Sequence, residues 1–205
     1  MIKLMAFDMD GVLLRHRNSW EKVFSNLFSY NDYTFQGLSR RNDISIPREI
    51  DIKRHISKSF DLNDINKDLY MLYNFKKETK IKMVIISAGV NAFAEKLSDI
   101  YNFDNFIAND IIESNGRLRF VKNVDPNKKD INLEHFLNLY RISPEETISI
   151  GDTIFDVSMR RKSKYFIAFN PYNSKVIENA DFTAYNFNDL IEIVNKINCK
   201  INVEF

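Results

Sequence analysis

A single cysteine, Cys199, in 205 residues leaves no internal disulfide to form, which suits a reducing compartment. Neither sign of charge is in excess. Lys and Arg number 29 against 28 Asp and Glu, a net of +1, so no long-range field draws nucleic acid or a membrane surface. No apolar run approaches the roughly 18 residues of a membrane helix. The opening apolar stretch is broken by Lys3 and Asp8 and is not read as a signal peptide. The expectation is a cytoplasmic protein with no nucleic-acid or membrane partner. Its three histidines, His16, His55 and His135, have no metal-ligand spacing. Glycine is scarce at 5 copies, and Gly11, Gly89 and Gly151 all stand beside residues singled out below.

What is present is ordinary soluble material, 44% hydrophobic and 28% charged, long enough for one good-sized domain or a core with a smaller insertion. Four short apolar segments, Lys3–Phe7, Lys82–Ser87, Thr147–Ile150 and Tyr165–Phe169, read as strands, with a fifth around Phe182–Tyr185. None alternates cleanly with polar residues, which suits a parallel sheet covered on both faces. Leu133, Phe136, Leu137 and Tyr140 fall on one helical face within Ile131–Tyr140, and Leu190, Ile193, Val194 and Ile197 repeat that spacing. Ser143-Pro144-Glu145-Glu146 reads as a helix cap with a capping box. Strands alternating with helices predict an α/β fold, a doubly wound parallel sheet of the Rossmann-like kind.

Between Leu14 and about Lys80 no strand is read, only helical pattern. Trp20, Val23, Phe24, Leu27 and Phe28 share a face behind an Asn18/Glu21 cap pair, and Ile65–Lys77 carries Leu69, Leu72 and Tyr73. This segment reads as an inserted helical cap, where Trp20, Phe24 and Phe28 pack a helix core or else line a pocket. Ile107–Val121, with Asn115-Gly116 at its centre, predicts a small β-hairpin flap.

Chemistry gathers at the predicted strand ends. Asp8 and Asp10, at i and i+2 of an extended segment, share a face at the carboxyl end of the first strand. Two such carboxylates repel, so a hard cation such as Mg2+ is their natural partner, and the Met9 carbonyl could turn inward to join it. Ser87-Ala88-Gly89 precedes a helix from about Asn91 and would seat a phosphate, or Ser87 would simply cap that helix. Lys128-Lys129 precede the helix near Ile131. In Gly151-Asp152-Thr153-Ile154-Phe155-Asp156, Asp152 is placed to complete the cation's carboxylates, while Asp156 would orient Lys129 or a metal-bound water.

As an ordered set these segments resemble the four motifs of the haloacid dehalogenase-like phosphatases, over nearly the whole chain. DMDG at 8–11, the Ser87 strand end, Lys129 and GDTIFD at 151–156 carry the likeness. The flap and IAFNP at 167–171 are similar to the phosphoserine phosphatase-like branch, whose helical cap the insertion resembles. The resemblance implies a core of residues 1–14 and 80–205 with a cap of 15–79. It also implies hydrolysis of a phosphomonoester. Asp8 would be the nucleophile forming a phospho-aspartate, and Asp10 the acid and then the base. Ser87, the Ala88 amide and Lys129 would bind the phosphoryl oxygens. Mg2+ would be held by Asp8, the Met9 carbonyl and Asp152, with Asp10 and Asp156 in the same metal-binding group.

The sequence departs from that branch at two places. Arg17, within Arg15-His16-Arg17, replaces a glutamate that meets the substrate's ammonium, and Phe155 replaces an asparagine. Arg17 therefore points to a small anionic phosphorylated metabolite and away from phosphoserine. Arg40, Arg41, Lys53, Arg54 and His55 are other cap candidates for specificity. The alternatives are phosphoryl transfer to an acceptor other than water and a phospho-accepting signalling or binding domain. Oligomeric state is not legible.

Overall fold

Leu4–Phe7, the first strand (β1), is buried at every position, as expected of a strand covered on both faces. In this computed structural model, which describes residues 1–25, 27, 37–38, 44–45, 50–115 and 117–201, β1 lies mid-sheet. The strands that follow are Ile44–Ser45 (β2), Lys82–Val90 (β3), Asn105–Ser114 (β4), Arg117–Val121 (β5), Thr147–Gly151 (β6), Tyr165–Phe169 (β7) and Phe182–Ala184 (β8). They form one sheet in the order β2-β5-β4-β3-β1-β6-β7-β8. The run from β4 to β8 is parallel, while β2 and β5 are antiparallel additions at one edge. The chain passes from β1 to β3 on one side and later to β6 on the other. The carboxyl ends of β1, β3 and β6 therefore face the crevice where open α/β sheets bind ligands.

The helices are Ser19–Phe24 (α1), Ile52–Ser59 (α2), Leu69–Thr79 (α3), Asn91–Tyr101 (α4), Lys129–Tyr140 (α5), Ser174–Glu178 (α6) and Phe187–Ile201 (α7). On one face of the sheet, Met5, Phe7, Ile85 and Ile150 pack with Phe93 of α4, Leu72 of α3 and Leu190 of α7. On the other, Leu4, Ala6, Val84 and Ile86 meet Leu133, Phe136 and Leu137 of α5 together with Met159. Each large side chain so buried contributes roughly 1.5–3 kcal/mol. Among the described residues no helix is long and apolar enough to cross a membrane.

Several local expectations are corrected. The capping box of Ser143 and Glu146 forms, but it closes a single 3-10 turn at Pro144–Glu146. No helix follows because the next residues, Thr147–Gly151, enter the sheet. Among its described residues the insertion holds one short strand, β2, paired with β5, and a helix, α2, that periodicity did not reveal. The helix carrying Trp20 ends at Phe24, and Phe28, Arg40 and Arg41 lie outside the described residues. The expected hairpin flap does form, and it continues the core sheet. β4 pairs parallel with β3 through Asn109 and then antiparallel with β5 from Asp110, so one strand runs from core into flap. Asn115 turns that hairpin with φ 53°, and Gly116 is outside the described residues.

Candidate active site

The β1 exit is a tight turn. The amide of Asp8 donates to the Ile150 carbonyl at 2.9 Å, which ties it to β6. The Met9 carbonyl accepts from the amides of Val12, Leu13 and Leu14 at 3.3, 2.9 and 2.9 Å. Its oxygen is engaged inside the turn and does not turn inward to the carboxylates as expected. Gly11 follows with φ +84°, and a Cβ there would lie 2.2 Å from Asp152 Oδ2. Only glycine fits that conformation and that approach.

Lys129, at the first turn of α5, is buried, while Lys128 beside it is exposed. Its Nζ donates to Asp8 Oδ1 at 2.6 Å and to Asp156 Oδ1 at 2.5 Å. Asp156 Oδ2 accepts from the amide and hydroxyl of Thr153 at 2.9 and 2.7 Å, so both its oxygens are taken. Burial alone would lower the Lys129 pKa, but Asp156 and Asp8 outweigh it and hold the ammonium above its ordinary value. Burial pushes the Asp8 carboxyl up to about 7, with Lys129 opposing and Asp156 and Asp10 adding to the rise.

Asp8, Asp152 and Asp156 each offer an oxygen within 4.8 Å of the others. Both oxygens of Asp152 are buried without a hydrogen-bond partner, although the Arg17 guanidinium stands 3.3 Å from Oδ2. Burial, then Asp156 and Asp8, push the Asp152 carboxyl up to about 8. The two Asp152 oxygens without hydrogen bonds, packed beside the Asp8 carboxylate, are a hard donor set that fits a divalent cation such as Mg2+. The Asp10 carboxylate stands outside this group. Its Oδ2 accepts from the Ser19 amide and hydroxyl at 3.0 and 2.8 Å, and burial pushes its pKa up.

Above these groups lies a cavity of about 380 Å³ lined by Asp8, Asp10, Ser87, Ala88, Lys129 and Arg17, with Trp20, Pro126 and Phe155 as apolar wall. The Ser87 hydroxyl accepts from the Gly89 amide at 3.0 Å. The Ala88 carbonyl is pinned by Trp20 Nε1 and Asn109 Nδ2, each at 2.9 Å. Trp20 therefore serves both of its readings, packing against Phe24 and lining the cavity. Arg17 also donates to the Asn170 carbonyl at 3.1 Å and stacks over Tyr172, so its charge is matched by Asp152. Lys53 and Arg54 lie on α2, and His55 sits at 2.7 Å from the Val23 carbonyl; none of the three lines this cavity.

Sequence reading missed Ser19, Thr153 and Asn109. Ser19 and Thr153 each neighbour a residue that had been noted, but a hydroxyl's partner is set by tertiary approach. Asn109 is wholly buried and also accepts from the amides of Asn123 and Val124 at 2.8 and 2.7 Å. A buried asparagine between two apolar strand segments was the one available signal.

A sequence profile of the haloacid dehalogenase-like hydrolases matches residues 2–163. The chain is 30% identical over 97 residues to phosphoserine phosphatase of Archaeoglobus fulgidus; that stretch is 46% of this chain and 28% of that protein, well under half its length. A substrate-bound phosphoserine phosphatase complex superposes with TM-score 0.73 at 19% identity, covering 96% of this chain and 98% of that one. A phospho-aspartyl intermediate analogue of phosphoserine phosphatase gives TM-score 0.71 at 20% identity, with 95% and 98% covered. At such identities the structural likeness is one of fold. The expectation set against phosphoserine finds no support here, since the proteins this chain resembles include phosphoserine phosphatases. Its physical basis is also weaker than charge alone implied, because Arg17 is engaged by Asp152.

Proposed function

Since the chain belongs to the haloacid dehalogenase-like hydrolases, we propose that it is an Mg2+-dependent phosphomonoesterase acting on a small phosphorylated metabolite through a phospho-aspartate on Asp8. One observation carries this reading most directly. Asp8 lies under the cavity with its Oδ1 on Lys129, which Asp156 holds in turn, while Asp152 beside it has no hydrogen bond on either oxygen and only the Arg17 guanidinium near Oδ2. Such a site has a carboxylate to attack with, a cation for phosphoryl oxygens and a place for a divalent ion. Asp8 and Asp152 would hold that ion, and when bound it would neutralise charge between nucleophile and phosphate.

In this reading Asp8 attacks phosphorus and the phosphorus–oxygen bond to the leaving group breaks. Asp10 gives its proton to the leaving oxygen and then takes one from the water that cleaves the phospho-aspartate. Ser87, the Ala88 amide and Lys129 bind the phosphoryl oxygens as negative charge builds. Asp156 and Thr153 keep Lys129 aimed. Arg17 lines the cavity and would meet a further anionic group of the substrate by turning from Asp152, and phosphoserine stands among the candidates. Residues 15–79 act as the cap over a core of 1–14 and 80–205.

The test is phosphate release from a panel of phosphorylated metabolites that includes phosphoserine, with Mg2+ or EDTA. Activity on a few of them, abolished by EDTA and by Asp8→Asn, is expected. Release that survives Asp8→Asn would overturn the reading.

A further inference from the structure

Two buried polar atoms without a hydrogen-bond partner face one another beside the site, Asp10 Oδ1 and His16 Nδ1, and Asp64 Oδ2, ion-paired with Lys22, lies beyond the ring. His16 Nδ1 is 3.8 Å from Asp10 Oδ1, and His16 Nε2 is 3.9 Å from Asp64 Oδ2. Neither is a hydrogen bond at that length, and the two carboxylates lie on opposite sides of the ring. A buried polar atom left unpaired costs about 1–3 kcal/mol, and Asp10 Oδ1 and His16 Nδ1 are each placed to satisfy the other. Catalytic hydrogen bonds of this kind are often long before substrate binds.

We propose that His16 is a positioning residue for the acid–base step, holding the Asp10 carboxyl group from the side opposite Ser19, with Asp64 fixing the ring from behind. This inference rests on the phosphomonoesterase reading, in which Asp10 moves the proton. Ser19 already grips Oδ2 with two donors, leaving Oδ1 as the atom that lets the carboxyl group rotate. With its Nε2–H turned to Asp64, the neutral ring leaves Nδ1 bare to accept from Asp10 in its acid form.

The backbone places the ring deliberately. The His16 carbonyl accepts from the Gly11 amide at 2.8 Å, one residue past Asp10, and the ring edge rests on Phe93. Asp64 is held by an ion pair to Lys22. Its carbonyl accepts from the Arg15 amide at 2.8 Å, and Leu14 bridges to Ile65. His16 thus sits where the chain leaving the core crosses the chain returning to it, and it links that crossing to the proton carrier.

A leaving-group comparison separates positioning from mere packing. Phenyl phosphate and p-nitrophenyl phosphate have similar shapes, but only the first needs a strong acid at its leaving oxygen. His16→Phe is expected to lower kcat/KM for phenyl phosphate at least about tenfold more than for p-nitrophenyl phosphate. His16→Asn, which keeps a polar atom near the Nδ1 position, is expected to recover most of that difference. Thermal unfolding of both variants shows whether the fold is kept. If His16→Phe fails to fold, the His16→Asn and Asp64→Asn ratios decide, Asp64→Asn being expected to shift the ratio in the same direction as His16→Phe. Equal loss on the two esters, or none, would overturn the role of His16 while leaving the phosphomonoesterase reading intact. Failure of the wild type to release phosphate from either ester in an Asp8-dependent way would overturn both.

Discussion

Lys129 is the residue on which the site's electrostatics turn. Its ammonium separates two buried carboxylates, Asp8 and Asp156, and without it those groups face one another with no counter-charge. Removing one member of a buried ion pair costs about 3–5 kcal/mol, because the partner's charge is left uncompensated. Lys129→Met is therefore expected to lower the unfolding temperature in EDTA as well as to abolish turnover, and a thermal melt of the metal-free variant checks it. A melt equal to wild type would mean that Asp8 and Asp156 do not need the ammonium. The pair Lys128-Lys129 also shows what one dimension hides. The two are chemically identical in sequence, and only the position of the α5 start decides that one is exposed and the other nearly fully buried.

Among the elements, the end of β3 matters most. Its register on β4 shifts between Ile86 and Val90, and over that irregular stretch Ser87, Ala88 and Gly89 turn to the cavity. Gly89 lets this turn come up against the β1 loop. A Cβ there would stand 2.5 Å from Ser19 Oγ and 2.6 Å from Asp10 Oδ2, and Ser19 Oγ also accepts from the Val90 amide at 3.0 Å. Gly89→Ala is expected to break the Ser19 grip on Asp10 and to reduce kcat about 10²-fold, the lower end of what a positioned acid supplies. Far-ultraviolet circular dichroism should be unchanged. A variant with wild-type kcat would show that Asp10 needs no such hold. Element identity was the most legible level in the sequence, since the β1, β3 and β7 segments carry unbroken apolar runs and β6 alternates Thr147 and Ser149 with Ile148 and Ile150. The 3-10 turn at Pro144–Glu146 was not, because a capping box reports the start of a turn and not its length.

At the scale of the whole molecule, the site stores charge that the metal-free fold does not readily accommodate. Burial raises Asp8 to about 7 and Asp152 to about 8, against about 3.9 for an unfolded aspartate. The folded chain then retains protons that the unfolded chain has already released. Their stabilising contribution is complete at low pH and is lost as pH rises through about 7 to 8. In EDTA the protein is expected to melt at lower temperature at pH 9 than at pH 6. Mg2+ should narrow that gap, and its affinity should rise over the same interval, since it binds the ionised carboxylates. Melts at both pH values with and without Mg2+ check this, and EDTA melts that do not differ would contradict the burial of these charges.

The sequence by itself determined the class of fold and the identity of the acidic and basic groups at the strand ends. Apolar runs of strand length, helical periodicity between them and an Asp-x-Asp-Gly turn are local patterns, and local patterns are written in consecutive residues. It also singled out Gly11, Gly89 and Gly151, whose missing side chains make room for Asp152, Asp10 and Asp156. Only the tertiary structure decided that the Met9 carbonyl folds back into its own turn, that Arg17 lies against Asp152, and that β4 runs on from core into flap. The same holds for the line from Asp10 through His16 to Asp64, whose ends are 54 residues apart in the chain. These depend on where separate segments meet once the sheet has formed, and that meeting is fixed by the packing of both its faces, which no single segment carries.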